Sequence, residues 1–212
     1  MQLTRPSQLP NLQPVGDSGL WSLSDQGLAA LSYPEDANKA CRSIEDVSYW
    51  FRHRNACVSE LIKSRLDDGL LLDVGGGNGA TTRCLIDAGV NCWLVEPGPV
   101  GCRHACERGI PTVIRGTLED VGFPSQSVAG IGMFDVIEHI KDVESLFKEV
   151  RHVLRPEGLL AITVPALPWL WSSEDKYAGH YRRYTTYSLC QTLEKCGFEV
   201  ETVRYLFGPL VM

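Results

Sequence analysis

From Leu70 onward, short apolar runs take turns with segments whose apolar residues return every three or four positions. The runs 70–74, 91–96, 111–114, 128–134 and 158–164 predict strands, and the segments 79–88, 99–108, 141–154 and 186–196 predict helices. A final alternating stretch, 198–206, predicts a sixth strand. Strands alternating with helices imply an α/β fold: a Rossmann-like, doubly wound, mostly parallel sheet with helices on both faces.

Ahead of this region, the spacing of Val47, Trp50, Phe51, Val58, Leu61 and Ile62 predicts one or two helices within 44–64, packed on the sheet edge or over the cofactor mouth. Residues 1 to about 30 are rich in Pro, Gln, Ser and Gly and are expected to be irregular. The expected organisation is an N-terminal extension with helices over 1–65, then a cofactor-binding domain over 66–212. An insert at 165–185 is read as a lid, and no internal repeat is evident.

The first strand runs straight into glycines, in Leu71-Leu72-Asp73-Val74-Gly75-Gly76-Gly77-Asn78-Gly79-Ala80. Glycine lets backbone N–H groups approach a ligand that a Cβ would push away. Glu96 closes the next apolar run, where a doubly wound sheet holds a ribose by its hydroxyls. The pattern Gly75-x-Gly77-x-x-Ala80 also satisfies a nicotinamide or flavin fingerprint. Asp73 tilts the choice, because a carboxylate there repels a pyrophosphate and suits the ammonium of an amino-acid cofactor. The chain also leaves too little length for a second mononucleotide half plus a substrate domain.

Taken in order, LLDVGGGNG, LVEPG, GTLEDVGFP, MFDVIEHI and VLRPEGLLAITVP resemble the motif series of class I S-adenosylmethionine-dependent methyltransferases, over roughly residues 70–165. The resemblance implies S-adenosylmethionine as cofactor and S-adenosylhomocysteine as product. It implies that Gly75, Gly76 and Gly77 take the methionine part and Glu96 the ribose, while Thr117, Leu118 and Glu119 border the adenine. Met133 and Phe134 would wall the sulfonium. It further implies a seventh, antiparallel strand, of which residues 208–212 hold at most the beginning.

Asp135 and His139, spaced i and i+4 after the fourth strand, face one side if that segment turns helical, with His139 as general base. His180 in the insert is the third candidate catalytic residue. The Asp135-x-x-Glu138-His139 spacing resembles the metal motif of ubiquinone-biosynthesis O-methyltransferases and small-RNA 2′-O-methyltransferases, with His180 as a distant further ligand. A divalent ion is therefore the rival to a metal-free site, and the metal-free site is the expectation. The insert is dense in Trp, Tyr, His and Arg. Arg182 and Arg183 either clamp an acceptor carboxylate or phosphate, or pair with acids of the N-terminal helix. Arg52 or Arg54 either reaches the cofactor's carboxylate or lies on a solvated face. WFxxR with GHYRRYT resembles a bacterial subset linked with glycan, lipid or secondary-metabolite pathways.

Composition narrows the partners. At 212 residues one domain with an extension is expected, and a net charge of −6 without a basic run argues against nucleic acid. Eight cysteines without a CxxC pair or a secretion signal suggest a reduced, cytoplasmic protein. No apolar stretch is long enough to span a bilayer. The apolar residues 205–212 suggest a contact surface, a homodimer among the options. The expected function is methyl transfer to a hydroxyl or amine of a small-molecule, glycan or lipid-linked acceptor. Its rivals are a non-catalytic binding module and an NAD-dependent oxidoreductase.

Overall fold

The structure, a computed structural model, describes residues 3–23 and 35–207. Its described strands are β1 Leu12–Val15, β2 Leu20–Leu23, β3 Leu71–Val74, β4 Cys92–Glu96, β5 Val113–Arg115, β6 Val128–Phe134 and β7 Leu154–Thr163. They form one sheet in the order β1-β2-β5-β4-β3-β6-β7, parallel throughout except for the β1/β2 hairpin. The order reverses direction at β3, so a crevice opens between the loops that leave β3 and β6.

The described α-helices are α1 Glu35–Ile44, α2 Tyr49–Arg65, α3 Ala80–Asp87, α4 Pro99–Glu107, α5 Leu118–Val121, α6 Val143–Val153, α7 Ser173–Ala178 and α8 Thr186–Lys195. Every residue of β3, β4 and β6 is buried, because helices cover both faces and a parallel strand then reads as a continuous apolar run. One face packs on α5, α6 and α8; the other packs on α2, α3 and α4. In α6, Val143, Phe147, Val150 and Val153 repeat at helical spacing and are buried, Phe147 completely. Burying that ring contributes about 1.5–3 kcal/mol. Asp142 caps the same helix by accepting from the Ser145 N–H.

Three expectations need correction. The strand expected over 198–206 is absent: those residues are non-strand and largely exposed, tied back by Arg65–Glu201 and by the Thr186 N–H donating to the Tyr205 hydroxyl. Alternation confers the capacity to pair, but it does not supply a partner, and β7 is the sheet's last described strand. Residues 12–23, expected to be irregular, are the second correction. They form a hairpin around Gly16-Asp17-Ser18-Gly19, and β2 joins β5 in register Leu20↔Val113. Gly19 accepts no side chain there, since a Cβ would lie 2.5 Å from the Pro111 carbonyl oxygen. Thirdly, Asp135 and His139 do not share an α-helix: Asp135 sits at φ 59°, and a single 3-10 turn, Ile137–His139, follows.

The insert closes on itself. The Leu167 N–H donates to the Tyr184 carbonyl and the Tyr184 N–H to that of Pro165, with α7 in between. At the apolar C-terminus, Phe207 stacks on Trp50 and meets Tyr49 and His53 edge-on, so this part of the tail packs on α2. Residues 208–212, where a seventh strand or dimer contact was expected, lie outside the described residues. Among the described residues, no helix is long and apolar enough to cross a membrane.

Candidate functional site

The glycine loop leaves β3 with Gly75 and Gly77 at φ 73° and 53°, a region that favours glycine. Gly101 at the start of α4 packs against it so closely that a Cβ would fall 2.9 Å from the Gly77 carbonyl oxygen. Glu96 ends β4 beneath the loop. One carboxylate oxygen accepts from the Gly77 N–H at 3.0 Å and the other from the Gly98 N–H at 2.6 Å. Burial pushes the Glu96 carboxyl up to about 7, opposed by those two N–H groups. Each of its oxygens keeps a second lone pair, which fits the two hydroxyls of a ribose.

Asp73, expected to hold the cofactor's ammonium, is fully enclosed behind the loop. It accepts from the Thr82 hydroxyl at 2.5 Å, and burial raises its carboxyl to about 6. A Cβ on Gly76 would lie 2.9 Å from it, so in this conformation Asp73 buttresses the loop. Thr117 is committed to capping α5 through Asp120. Leu118, Met133 and Phe134 are core residues, with Phe134 packed among Val58, Ile62 and Leu85. Enclosed side chains of this kind shape a crevice wall from behind.

A polar clasp over the loop was not legible in the sequence. The Asn78 side-chain amide donates to the Asn38 carbonyl at 2.8 Å and to Glu45 at 3.0 Å. Arg108 donates to the Asn78 carbonyl at 3.0 Å and pairs with Glu45 at 2.7 Å and with Asp46. Helix α1 is thereby latched onto the glycine loop. These partners come from three segments far apart in the chain, and no motif links them.

On the other side of the crevice, Asp135 accepts from Arg54 and from the Thr163 hydroxyl at 3.0 Å. Arg54 also donates to the Thr81 hydroxyl at 2.9 Å and lies over the Trp50 ring. Arg54 is buried and so does not lie on a solvated face; its guanidinium serves Asp135 and Thr81. The described partners of the insert arginines lie next to or within the insert itself and not on the N-terminal helices. Arg182 donates to the Ile140 and Lys141 carbonyls, while Arg183 donates to Asp175 at 2.7 Å and to the Ala166 carbonyl.

His139 and His180 do come together, their rings edge to face at 4.6 Å between centroids. Asp175, enclosed and held by Arg183 and the Ser172 N–H, bonds His180 Nδ1 at 2.9 Å. Those partners hold the Asp175 carboxyl well below its usual range against the opposing pull of burial. Burial, followed by the facing His180, lowers His139 to about 4, so its imidazole is neutral at neutral pH. Between them the Tyr181 N–H donates to the Glu138 carbonyl at 2.8 Å, fastening insert to turn. The Glu138 side chain is fully buried, and burial reinforced by Asp135 raises its carboxyl well above the ordinary range. A separate surface hollow of about 440 Å³, lined by Glu144, Lys148, Arg151, His152, Lys195 and Cys196, runs along α6 beside the C-terminal end of α8.

Residues 50–203 match the family model described as a methyltransferase domain. A protein of Mycolicibacterium smegmatis named as a probable S-adenosylmethionine-dependent methyltransferase is 27% identical over 177 residues, covering 82% of this chain and 68% of that one. The ubiquinone biosynthesis O-methyltransferase of Actinobacillus pleuropneumoniae serotype 7 is 31% identical over 100 residues, 42% of this chain and 43% of its own length. Among solved structures, an S-adenosylmethionine-dependent methyltransferase of Thermotoga maritima, titled a possible histamine N-methyltransferase, aligns with a TM-score of 0.64 at 22% identity. The alignment covers 78% of this chain and 79% of that one, a likeness of fold.

Proposed function

The chain belongs to the class I S-adenosylmethionine-dependent methyltransferases, and from that membership we propose that it methylates a hydroxyl or amine of a small-molecule, glycan or lipid-linked acceptor held under the lid. The observation that carries this reading is the meeting of two halves at the carboxyl ends of the strands. The glycine loop with Glu96 lies on one side, and the lid with His139 and His180 on the other. With S-adenosylmethionine as the donor, the nicotinamide alternative falls away.

In this reading Gly75, Gly76 and Gly77 receive the methionine portion, and Glu96 accepts from the ribose hydroxyls. Thr117 and Leu118 border the adenine, with Met133 and Phe134 forming the wall behind the reacting methyl. Asp73 holds the loop's shape, and Asp135 positions the acceptor side through Arg54. The bound cofactor supplies an activated methyl group on a sulfonium. The acceptor's lone pair forms the new bond to that carbon as the carbon–sulfur bond breaks, and the electron pair stays on the sulfur. Neutral His139 takes the acceptor's proton, with His180 fixed beside it by Asp175. Because the donor is already activated, most of the rate comes from alignment and exclusion of water, with the base worth about 10²-fold or more.

The catalytic unit we propose includes the N-terminal segment, since β2 extends the sheet and α1 covers the loop. Residues 165–185 form its lid. Titration calorimetry with S-adenosylhomocysteine tests the cofactor half, followed by acceptor screening with isotopically labelled S-adenosylmethionine. Saturable binding with labelled product on hydroxyl- or amine-bearing acceptors is the expected result. Absence of binding overturns the cofactor assignment to this crevice.

A further inference from the structure

We propose that Asn38, on helix α1, recognises the amino-acid end of the cofactor, its side-chain oxygen accepting from the cofactor's ammonium above the glycine loop. This role rests on the methyltransferase reading and deepens it. Helix α1 precedes residues 50–203, which match the methyltransferase family model, so Asn38 is a part of the site that the chain supplies from its own N-terminal segment.

The first observation is one of place. Asn38 is buried, and apart from the chain neighbours of Gly77 its Oδ1 is the only described atom within 4 Å of where a Gly77 Cβ would stand, at 3.7 Å. That oxygen overhangs the face of the glycine to which the methionine portion is assigned. The second observation is that the place is fixed. Asn78, the residue after Gly77, donates its side-chain amide to the Asn38 carbonyl at 2.8 Å and to Glu45 at 3.0 Å, while its Oδ1 meets His104 Nδ1 at 2.9 Å. Arg108 donates to the Asn78 carbonyl at 3.0 Å and pairs with Glu45 at 2.7 Å, both side chains being under a tenth exposed. Glu45 follows Asn38 by seven residues, two turns on, and so shares its face of the helix. Buried polar groups are costly unless bonded, so a network satisfied at this many points sets the register of α1 over the loop, which apolar packing alone would leave loose.

The chemistry suits the ligand. Asp73, which the sequence offers for the ammonium, is enclosed behind the loop and bonded to Thr82, and this leaves the crevice side of Gly77 to Asn38. The amino-acid end of the cofactor carries an ammonium and a carboxylate side by side. A side-chain amide supplies an acceptor oxygen for the ammonium without a net charge, whereas a carboxylate in its place would also repel the ligand's own carboxylate. Asn38 then reads the zwitterion, and the clasp of Asn78, Glu45 and Arg108 positions it.

The test titrates the full chain by calorimetry with two ligands: S-adenosylhomocysteine, and 5′-methylthioadenosine, which keeps the adenine, ribose and thioether but lacks the amino-acid end. Asn38→Ala, a change that a helix tolerates, and Glu45→Ala, which unfastens α1 from Asn78 and Arg108, are compared with Ser43→Ala on the exposed face of α1. Affinity for S-adenosylhomocysteine should fall about tenfold or more in Asn38→Ala and should also fall in Glu45→Ala, while affinity for 5′-methylthioadenosine stays within about twofold in both. Ser43→Ala should leave both ligands unchanged. Equal losses for the two ligands in Asn38→Ala, or no loss for either, overturn the role of Asn38 and leave the cofactor assignment standing. A wild type that binds neither ligand overturns both.

Discussion

The two walls of the crevice are built in different ways. On the wall proposed to hold the cofactor, the glycine loop and Glu96 lie within 22 positions of one another, and each oxygen of Glu96 is met by a backbone N–H. The wall proposed to face the acceptor draws Arg54, Asp135, Thr163, Asp175 and His180 from four separate stretches, joined by side chains. The difference teaches that a site assembled from backbone is governed by glycine and turn geometry. One assembled from side chains depends on the whole fold arriving in place.

Substitutions should therefore damage the two walls in different currencies. The largest effect is expected from Gly77→Val, which puts a side chain into the crevice where a Cβ meets only Asn38, at 3.7 Å. S-adenosylhomocysteine affinity should fall by about 100-fold or more, or about 2.7 kcal/mol, by calorimetry. A loss below about tenfold would move the cofactor away from this loop.

Arg54→Ala should do the reverse. It leaves Asp135 and Thr81 without their buried partner, at a cost of about 2–3 kcal/mol in denaturant unfolding after allowance for the partial exposure of Asp135. Cofactor affinity should stay within about threefold. If affinity collapses while stability holds, the contrast between the walls is wrong.

Glu96 provides a finer test through pH. Its carboxyl is pushed from 4.5 up to about 7, and ribose hydroxyls favour the ionised form, so cofactor affinity should climb about tenfold from pH 6 to pH 8. Glu96→Gln should flatten that rise. Stability of the cofactor-free protein moves the other way. The folded chain holds this proton over a window where the unfolded chain has released it, so the contribution of Glu96 is complete below about pH 4.5 and is lost as the pH rises through about 7. Thermal melts of wild type and Glu96→Gln across that window read the difference. The smallest expected effect is that of Phe207→Ala, which removes stacking on Trp50 outside both walls. It should cost about 0.5–1.5 kcal/mol and leave affinity unchanged.

How much of this was legible beforehand follows the same division. Gly75, Gly77 and Glu96 could be placed at the ends of their strands because that placement depends on local backbone shape, which sequence spacing encodes. Asp135 could be picked out, but its partner could not: the i, i+4 spacing would put it beside His139 only if the segment were helical, and the left-handed turn at Asp135 goes with a carboxylate bonded to Arg54 instead. The pair Arg182 and Arg183 looked like an anion clamp, because charge in an aromatic insert advertises binding. Both also tie the insert down, Arg182 to the Lys141 carbonyl and Arg183 to Asp175, which charge pattern alone does not reveal. The N-terminal hairpin was missed because its two strands are only four residues long, and Pro14 and the glycines resemble loop composition.

The amino-acid sequence by itself determined the alternation of strand and helix, the parallel core, the glycine loop after β3 and the carboxylate at the end of β4. Each of these follows from periodicity or backbone freedom over a handful of neighbouring residues. Only the tertiary structure decided that a hairpin, not the segment 198–206, completes the sheet, and that α1 is latched over the loop by Asn78 and Arg108. It alone brought His180 to Glu138 and His139. Those outcomes depend on which distant groups meet, and burial makes an unmet polar group costly enough to select among partners that the local pattern leaves equivalent.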